Sequence, residues 1–302
     1  MKRLLPLLLC LCLLLAGCSA RQNQNEDNTL HILASTYPIY LFTNTLVKGA
    51  EGVEVTQLID ETVSCLHDYT LTVPDMKAIE RADIIILNGA ELEVFMEDAL
   101  AQTDAVAINC SENVDLLPAT GHEDHDHDHD DDHHHGHYDP HYWLSKEAAL
   151  IMLNNIFHGL SSLDQANLDT YQKNFSDVCE LFSEDSLDFA ALSCPYMITF
   201  HDGFHYLAHD SGLTLLKAIE EEEGSTASAA DIKEIVALIR EYDIPAIFTE
   251  KNGSDNTARA IARETGVEIY QLDMLMSGEG QDITAYFDAL NANYAIIQEA
   301  LS

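Results

Sequence analysis

Basic residues are scarce in this chain. It has 14 Lys and Arg against 52 Asp and Glu, which gives a formal net charge of -38 at pH 7. Because nucleic-acid binding rests on neutralising phosphates with Lys and Arg, this composition excludes a nucleic acid as the expected partner. The chain is 302 residues long and 47% hydrophobic, which is enough for two core-forming domains of ordinary size.

The N-terminus lacks an apolar run long enough for a transmembrane helix. The run from Leu4 to Leu15 falls short of the about 20 apolar residues that a span needs. It follows Met1-Lys2-Arg3 and ends in small residues before Cys18, which is the arrangement of a cleaved export signal. Small residues directly before a cysteine resemble the lipobox of bacterial lipoproteins. We therefore expect a signal peptide over 1–17, a lipidated Cys18 that attaches the chain to the membrane, and a flexible tether over 18–29. Ordinary secretion with an unmodified Cys18 is the alternative.

Cysteine spacings that match a zinc finger are also missing. Three of the seven cysteines fall in the predicted signal peptide and anchor, namely Cys10, Cys12 and Cys18. The remaining four could form disulfides in an exported protein, and four cysteines allow three pairings among which the sequence does not choose. They are Cys65, Cys110, Cys179 and Cys194.

No residue from 121 to 137 is apolar. The segment cannot bury surface, so we expect a mobile loop. Its eight histidines are interleaved with seven acidic residues, a composition that attracts metal ions. We predict that it captures Zn²⁺ weakly and raises the local supply for a tighter site; the alternative is a dispensable charged loop. The histidines are His122, His125, His127, His129, His133, His134, His135 and His137.

Short β-rich runs alternate with helical patterns in two parts of the chain. Such alternation predicts parallel sheets covered by helices, so the expected fold is α/β with two similar lobes. The first lobe is predicted to have strands at 31–34, 53–59, 84–87 and 105–108 and helices at 74–81 and 91–100. The second is predicted to have strands at 197–200, 213–216, 246–249 and 267–272 and helices at 205–210, 231–242 and 256–265.

Neither Gly nor Pro occurs between Gly159 and Pro195. The apolar residues there recur at spacings that favour one helical face, which predicts a long connecting helix over 163–192. A rigid helix between the lobes makes large hinge closure harder. The predicted domains are an N-terminal lobe over 30–162, which includes the His-rich loop 121–137, the connecting helix, and a C-terminal lobe over 193–302.

Four potential metal ligands follow predicted strands. In open parallel α/β sheets, ligands bind beyond the carboxyl ends of the strands. His67 and His141 come after strands of the first lobe, and His201 and Asp273 directly follow strands of the second. Two ligands from each lobe would meet in the interlobe cleft. Three imidazoles and one carboxylate suit tetrahedral Zn²⁺, so metal binding by this set is the leading hypothesis.

Three further side chains are candidates for assisting this set. Glu250 ends a predicted strand and could accept a hydrogen bond from an imidazole N–H. His205 follows His201 by four residues, a spacing at which two histidines on a helix can bind zinc. Cys65 stands two residues before His67 and could supply a thiolate.

The chain contains six short motifs in this order: Leu33-Ala34-Ser35-Thr36-Tyr37-Pro38-Ile39, His67-Asp68-Tyr69, Asp139-Pro140-His141-Tyr142-Trp143-Leu144, Thr199-Phe200-His201-Asp202-Gly203-Phe204, Phe248-Thr249-Glu250 and Tyr270-Gln271-Leu272-Asp273. The set resembles zinc and manganese solute-binding lipoproteins of ABC transporters, of the cluster A-I type. The resemblance implies two lobes bridged by a long helix, a metal between them, a cognate ABC permease as partner and a location outside the cytoplasm. His67, His141, His201 and Asp273 match the family's four ligand positions. We expect a monomer.

The resemblance also bears on the choice of metal. Family members with a His-rich insertion and three histidine ligands are generally zinc carriers, whereas manganese carriers often have a carboxylate at the third position. His201 occupies that position here, so Zn²⁺ is the expected ion and Mn²⁺ the alternative. The chain departs from the family pattern at Cys65-Leu66, where Asp-Pro usually precedes the first ligand, and at His205, where glycine is common.

Two other classes of function remain open. Three histidines with an open position are also the layout of hydrolytic zinc sites. Asp273 can close the shell here and no catalytic motif accompanies the ligands, so we do not expect an enzyme. A surface adhesin or metal buffer would bind a host surface, or retain metal without any dependence of uptake on a permease. Genomic context or zinc-limited growth of a deletion strain separates these functions.

Overall fold

A computed structural model describes residues 29–59, 69–119, 137–184, 192–220 and 227–302. The predictions for the signal peptide, the tether up to residue 28, Cys18, Cys65, His67 and the histidines from His122 to His135 lie outside these residues. The eight strands in the described ranges form two four-stranded sheets in which all pairings are parallel. The predicted α/β fold with two parallel-sheet lobes is confirmed.

The first sheet has the strand order β2-β1-β3-β4. Strand β3 consists of three isoleucines and a leucine, and its three isoleucines are buried, as expected for a central strand covered on both faces. Helix α2 begins at a capping box, in which the side chains of Thr72 and Asp75 each accept the other's backbone N–H. The elements are β1 (Leu30–Ala34), α1 (Tyr37–Leu46), β2 (Val53–Gln57), α2 (Val73–Arg81), β3 (Ile84–Leu87), α3 (Glu97–Leu100) and β4 (Val106–Asn109).

The second sheet repeats this order as β6-β5-β7-β8. Helix α7 also starts at a capping box, here between Ser228 and Asp231. Helix α8 ends at Gly266, whose φ of 83° is the left-handed conformation that glycine adopts at helix ends. The elements are β5 (Tyr196–His201), α6 (His205–Asp210), β6 (Thr214–Glu220), α7 (Ala229–Glu241), β7 (Ala246–Glu250), α8 (Asn256–Thr265), β8 (Glu268–Leu272) and α9 (Ile283–Leu301).

The helix predicted over 163–192 is present over a shorter range, as α5 (Leu168–Glu184), and residues 185–191 lie outside the described ranges. A separate helix, α4 (Lys146–Leu163), ends where the predicted helix begins. Asp164 separates them. Its carboxylate accepts hydrogen bonds from the Asn167 side chain and the Tyr171 hydroxyl, both over 2.7 Å, and from the Ala166 backbone N–H over 3.2 Å. Because a short carboxylate that satisfies nearby donors favours a turn over a continued helix, the chain turns at this point.

The prediction of a helix over 91–100 is wrong in its first half. Ala90 and Glu91 have φ values of 51° and 64°, which a right-handed helix does not allow. The side chain of Glu93 accepts the backbone N–H groups of Asn88 and Gly89 over 2.7 and 3.0 Å, so it stabilises a turn there. Helical structure begins as a 3₁₀ turn at Val94–Met96 and continues as α3.

The C-terminal helix α9 packs against the first lobe. The rings of Tyr286 and Phe42 form a T-shaped pair with centroids 5.0 Å apart, and the Tyr286 hydroxyl donates to the Trp143 carbonyl over 2.8 Å. The Ile283 backbone N–H donates to Thr45 Oγ1 over 2.8 Å. These contacts join the C-terminal helix to the first lobe. None of the described helices combines the length and apolar character needed to cross a membrane.

Candidate metal site

His201 is the last residue of β5. In the second sheet β6 lies on one side of β5 and β7 on the other, so the strand order reverses between β5 and β7. Side chains at the carboxyl ends of the strands flanking such a reversal face the crevice where α/β proteins bind ligands. His201 is buried, with 3% of its surface exposed. On the neighbouring strand β7, Glu250 is the last residue and is also buried. The second lobe thus presents an imidazole and a carboxylate at adjacent strand ends.

His141 lies against His201. The centroids of the two imidazole rings are 5.4 Å apart and the ring planes are nearly perpendicular, at 87°. His141 directly precedes a 3₁₀ turn, Tyr142–Leu144, whose three side chains are completely buried. The Tyr142 hydroxyl donates to the Asn88 carbonyl over 2.5 Å, and the Trp143 indole N–H donates to the Met274 carbonyl over 2.9 Å. The segment after His141 is therefore anchored to both lobes.

A buried carboxylate orients the His141 ring. Asp139 Oδ1 lies 2.7 Å from His141 Nδ1 and accepts the His141 backbone N–H over 2.9 Å. When Nδ1 of a neutral imidazole carries the proton and donates it to a carboxylate, Nε2 is left as the nitrogen that can bind a metal. Burial by itself raises the pKa of the Asp139 carboxyl. The positive charge that His141 carries when it is protonated, its hydrogen bonds and a contribution from His205 outweigh burial and hold that pKa well below its usual range.

His205 contacts the same carboxylate from the second lobe. Its Nδ1 lies 3.2 Å from Asp139 Oδ2 and 3.3 Å from Asp202 Oδ1. Burial lowers the pKa of the His205 imidazole, but the two carboxylates raise it by more, so the net shift is upward. The structure thus places His205 beside Asp139.

Gly203 approaches both imidazoles closely. A Cβ atom added at this position would lie 2.9 Å from His201 Cδ2, 3.1 Å from His141 Cε1 and 2.4 Å from Met274 Cε. Distances under 3.0 Å are shorter than real carbon contacts, so a side chain here would displace its neighbours. A glycine therefore allows the backbone to close over the ring pair.

Asp273 follows β8 in a more exposed position. Its Oδ2 lies 3.2 Å from Lys251 Nζ, its Oδ1 accepts the Leu275 backbone N–H over 2.8 Å, and 23% of its side-chain surface is exposed. Its backbone is fixed by Asn293, which accepts the Asp273 N–H and donates to the Asp273 carbonyl, both over 2.7 Å. Within the described ranges, no three His, Cys, Asp or Glu side chains form a group that could hold a metal ion.

Comparison with known proteins identifies the family. The model of the zinc-uptake complex component A family, described as periplasmic, matches residues 32–300. The chain belongs to this family.

Individual relatives are similar over nearly the whole chain. The high-affinity zinc uptake system protein ZnuA of Bacillus subtilis is 29% identical over 96% of this chain and 94% of its own length. The zinc-binding lipoprotein AdcA of Streptococcus pneumoniae is 29% identical over 99% of this chain, which spans 61% of that longer protein. The solved structure of a Zn(II)-bound mutant variant of AdcAII from S. pneumoniae superposes with a TM-score of 0.75 and 27% identity, covering 91% of this chain and 99% of that one.

The predicted site residues of this family member are thus placed as follows. His141 and His201 are brought into contact, Asp273 is engaged by Lys251, and Glu250 is buried at the end of β7. His137 is 80% exposed and pairs with Glu91, with Nδ1 3.3 Å from Oε1. Cys110, Cys179 and Cys194 are unbridged among the described residues.

Three contributors to the site were missed by sequence analysis. Asp139 stands two residues before His141. A carboxylate this close in sequence to a predicted histidine ligand can indicate the hydrogen-bond partner of its imidazole. Gly203 directly follows His201-Asp202, and a glycine beside a predicted ligand can mark a close backbone approach. The contact of Lys251 with Asp273 depends on how two loops pack together, so no local pattern predicts it.

Proposed function

We propose that this protein captures Zn²⁺ outside the cytoplasm and delivers it to a cognate ABC permease for import. The observation that carries the proposal is the buried contact between the His141 and His201 rings, contributed by the two lobes. Asp139 orients His141 so that Nε2 is available. A second imidazole stands beside it, and imidazole pairs are a common part of Zn²⁺ sites.

In this proposal His67 and Asp273 complete the coordination of the ion. Asp273 would have to exchange its Lys251 contact for the metal, and its exposed fraction allows a side chain the freedom to do so. Zn²⁺ is preferred over Mn²⁺ because imidazole suits borderline ions, whereas manganese prefers oxygen ligands. A shell of three imidazoles and one carboxylate leaves no position for a reactive water, so the proposed function is transport and not catalysis.

The metal can be tested by titration. Protein purified without chelators is analysed for metal content and titrated with Zn²⁺ and Mn²⁺ against a competing chelator. We expect one tight Zn²⁺ equivalent and weaker Mn²⁺ binding. Tighter Mn²⁺ than Zn²⁺ binding would favour the manganese alternative, and absence of any tight site would contradict the proposal.

The role in uptake needs a separate test in the cell. A deletion strain should grow poorly under zinc limitation, and the wild-type gene but not a His201→Ala variant should restore growth. Equal restoration by both would point to the adhesin or buffer function. We also propose that Cys18 carries the lipid that attaches the chain to the membrane. A Cys18→Ser variant should then lose the lipid mass and be released from the membrane fraction.

The His-rich loop is proposed as an accessory. Deletion of 121–136 should remove weak Zn²⁺ equivalents while leaving the tight site intact. Loss of the tight site would contradict the accessory role, and unchanged stoichiometry would contradict metal capture by the loop.

A further inference from the structure

His205 is the first residue of α6 and reaches across the seam between the lobes. It belongs to the second lobe, whereas Asp139 belongs to the segment of the first lobe that carries His141. His205 is 17% exposed in its side chain, and Asp139 only 3%. The contact of 3.2 Å between His205 Nδ1 and Asp139 Oδ2 therefore lies in a largely water-excluded position.

The two oxygens of Asp139 are used by different partners. Oδ1 is occupied by the backbone N–H and Nδ1 of His141. Oδ2 faces His205 Nδ1 as a charge contact of 3.2 Å, without the alignment of a hydrogen bond. A carboxylate held through one oxygen can still turn about its Cβ–Cγ bond, whereas a contact to the second oxygen restricts that rotation. Since the carboxylate plane sets the direction of the bond to His141 Nδ1, restricting it also restricts the orientation of the His141 ring.

The neighbouring residue on α6 holds the backbone of the same loop. The Tyr206 hydroxyl donates to the Asp139 carbonyl over 3.1 Å and accepts the Leu117 backbone N–H over 2.8 Å. Helix α6 thus contacts both the main chain and the side chain of Asp139. A short helix of the second lobe therefore sets the position of a loop that belongs to the first.

We propose that His205 is a positioning residue for metal binding, acting through Asp139 on His141 and making no bond to the metal itself. The inference rests on the proposed function, because it assigns His141 a place in the Zn²⁺ site. It gives His205 a role other than the additional ligand considered from the sequence. In this proposal the contact of His205 with Asp139, which joins the two lobes, helps to determine the affinity for Zn²⁺.

Isosteric variants separate the two roles of His205. The amide nitrogen of asparagine can stand in for Nδ1, whereas the amide of glutamine reaches farther and stands in for Nε2. We measure Zn²⁺ affinity by chelator competition for the wild type and for His205→Ala, His205→Asn and His205→Gln. The Co²⁺ absorption spectrum of each variant reports the geometry at the metal, and thermal unfolding without metal reports the fold.

His205→Ala is expected to weaken Zn²⁺ binding on the order of 10-fold, the lower end of the effect of partners of metal ligands, and to shift the Co²⁺ bands. His205→Asn should restore both, and His205→Gln should not. The matched control is His209→Ala on the same helix, because the His209 side chain is 77% exposed and its ion pair is with its own neighbour Asp210. The His209→Ala variant should bind Zn²⁺ with the affinity of the wild type.

Either of two results overturns the inference. One is unchanged affinity in His205→Ala; the other is failure of His205→Asn to restore binding, the result expected if His205 is a ligand, because an amide nitrogen does not bind Zn²⁺. If His205→Ala fails to fold, the comparison of the asparagine and glutamine variants still decides. His201→Ala is measured in parallel. If its affinity is unchanged, the proposed site itself fails; if it loses binding while His205→Ala does not, only the role of His205 fails.

Discussion

The histidine pair and Asp273 are two parts of one proposed site with different surroundings. His141 and His201 are almost completely buried and in ring contact, and His141 is held by a carboxylate that is itself braced from the other lobe. Asp273 is partly exposed and paired with a lysine whose side chain is 64% exposed. The difference indicates that buried contacts hold the histidine pair in position, whereas the carboxylate can exchange partners. We therefore expect Zn²⁺ affinity to depend mainly on the histidines. The rate at which Zn²⁺ is taken up and released should depend mainly on Asp273.

Removal of a histidine should have the largest effect. If four ligands share the about 10–16 kcal/mol typical of structural zinc binding, then His201→Ala should weaken Zn²⁺ affinity by roughly 100- to 1,000-fold. Chelator competition measures the change. His158→Ala is the control, since His158 is exposed on α4, and it should bind as the wild type does. A His201→Ala variant whose Zn²⁺ affinity is within a few-fold of the wild type would contradict metal binding by the histidine pair.

Replacing the carboxylate that orients His141 should have the next largest effect. Asp139→Asn keeps the shape but loses the charge that His141 Nδ1 faces over 2.7 Å. We expect a loss of about 10- to 100-fold in Zn²⁺ affinity, the usual range for such partners. His205→Ala in the Asp139→Asn background should add little, because both changes break the same chain of contacts. Fully additive losses would show that the two residues act separately.

Filling the space at Gly203 should have a moderate effect. An alanine Cβ would press on the His201 and His141 rings and on Met274 Cε. Zn²⁺ affinity in Gly203→Ala should fall on the order of 10-fold, because an error of a few tenths of an ångström in a ligand pair is felt in its metal bond lengths. Gly212→Ala is the matched control. Gly212 has a φ of 67° with nothing within 4 Å of its added Cβ, so this variant should lose about 1 kcal/mol of unfolding free energy at unchanged affinity.

The smallest effect is expected at Lys251. Its contact with Asp273 is a partly exposed ion pair, and such pairs contribute about 0–1 kcal/mol. Lys251→Ala should therefore tighten Zn²⁺ binding by no more than about 5-fold, as Asp273 loses a competing partner. Lys173→Ala, which breaks the exposed pair with Asp177 on α5, should leave affinity unchanged. Weaker binding in Lys251→Ala would show that the lysine assists Asp273 instead of competing for it.

The sequence predicts the sheets well because their strands are encoded locally. The β-rich runs predict all eight described strands to within a few residues, and β3 has the predicted bounds. The helices at 91–100 and 163–192 are predicted less well, since their ends depend on the Glu93 and Asp164 side chains capturing nearby N–H and O–H donors. The hydrogen bonds of these two carboxylates depend on side-chain rotamers and backbone geometry, which the spacing of residues in the sequence does not reveal.

The residues of the site also differ in whether local sequence or tertiary packing determines their positions. His141 and His201 can be proposed from their positions after strands, because topology brings strand ends together. The contact of His205 with Asp139 joins residues 66 positions apart in different lobes, and only the packing of α6 against the first lobe creates it. The ligand role of Asp273 stays a prediction, and the role of His67 falls outside the described residues.

We expect one Zn²⁺ ion to be bound between the lobes by His141 and His201. The anomalous zinc signal in crystals of the zinc-loaded protein tests this binding most directly. We predict a single strong peak about 2.0–2.1 Å from Nε2 of both histidines. His141 Nδ1 should keep its hydrogen bond to Asp139. A peak elsewhere, or one bound by only one of these two imidazoles, would contradict the account.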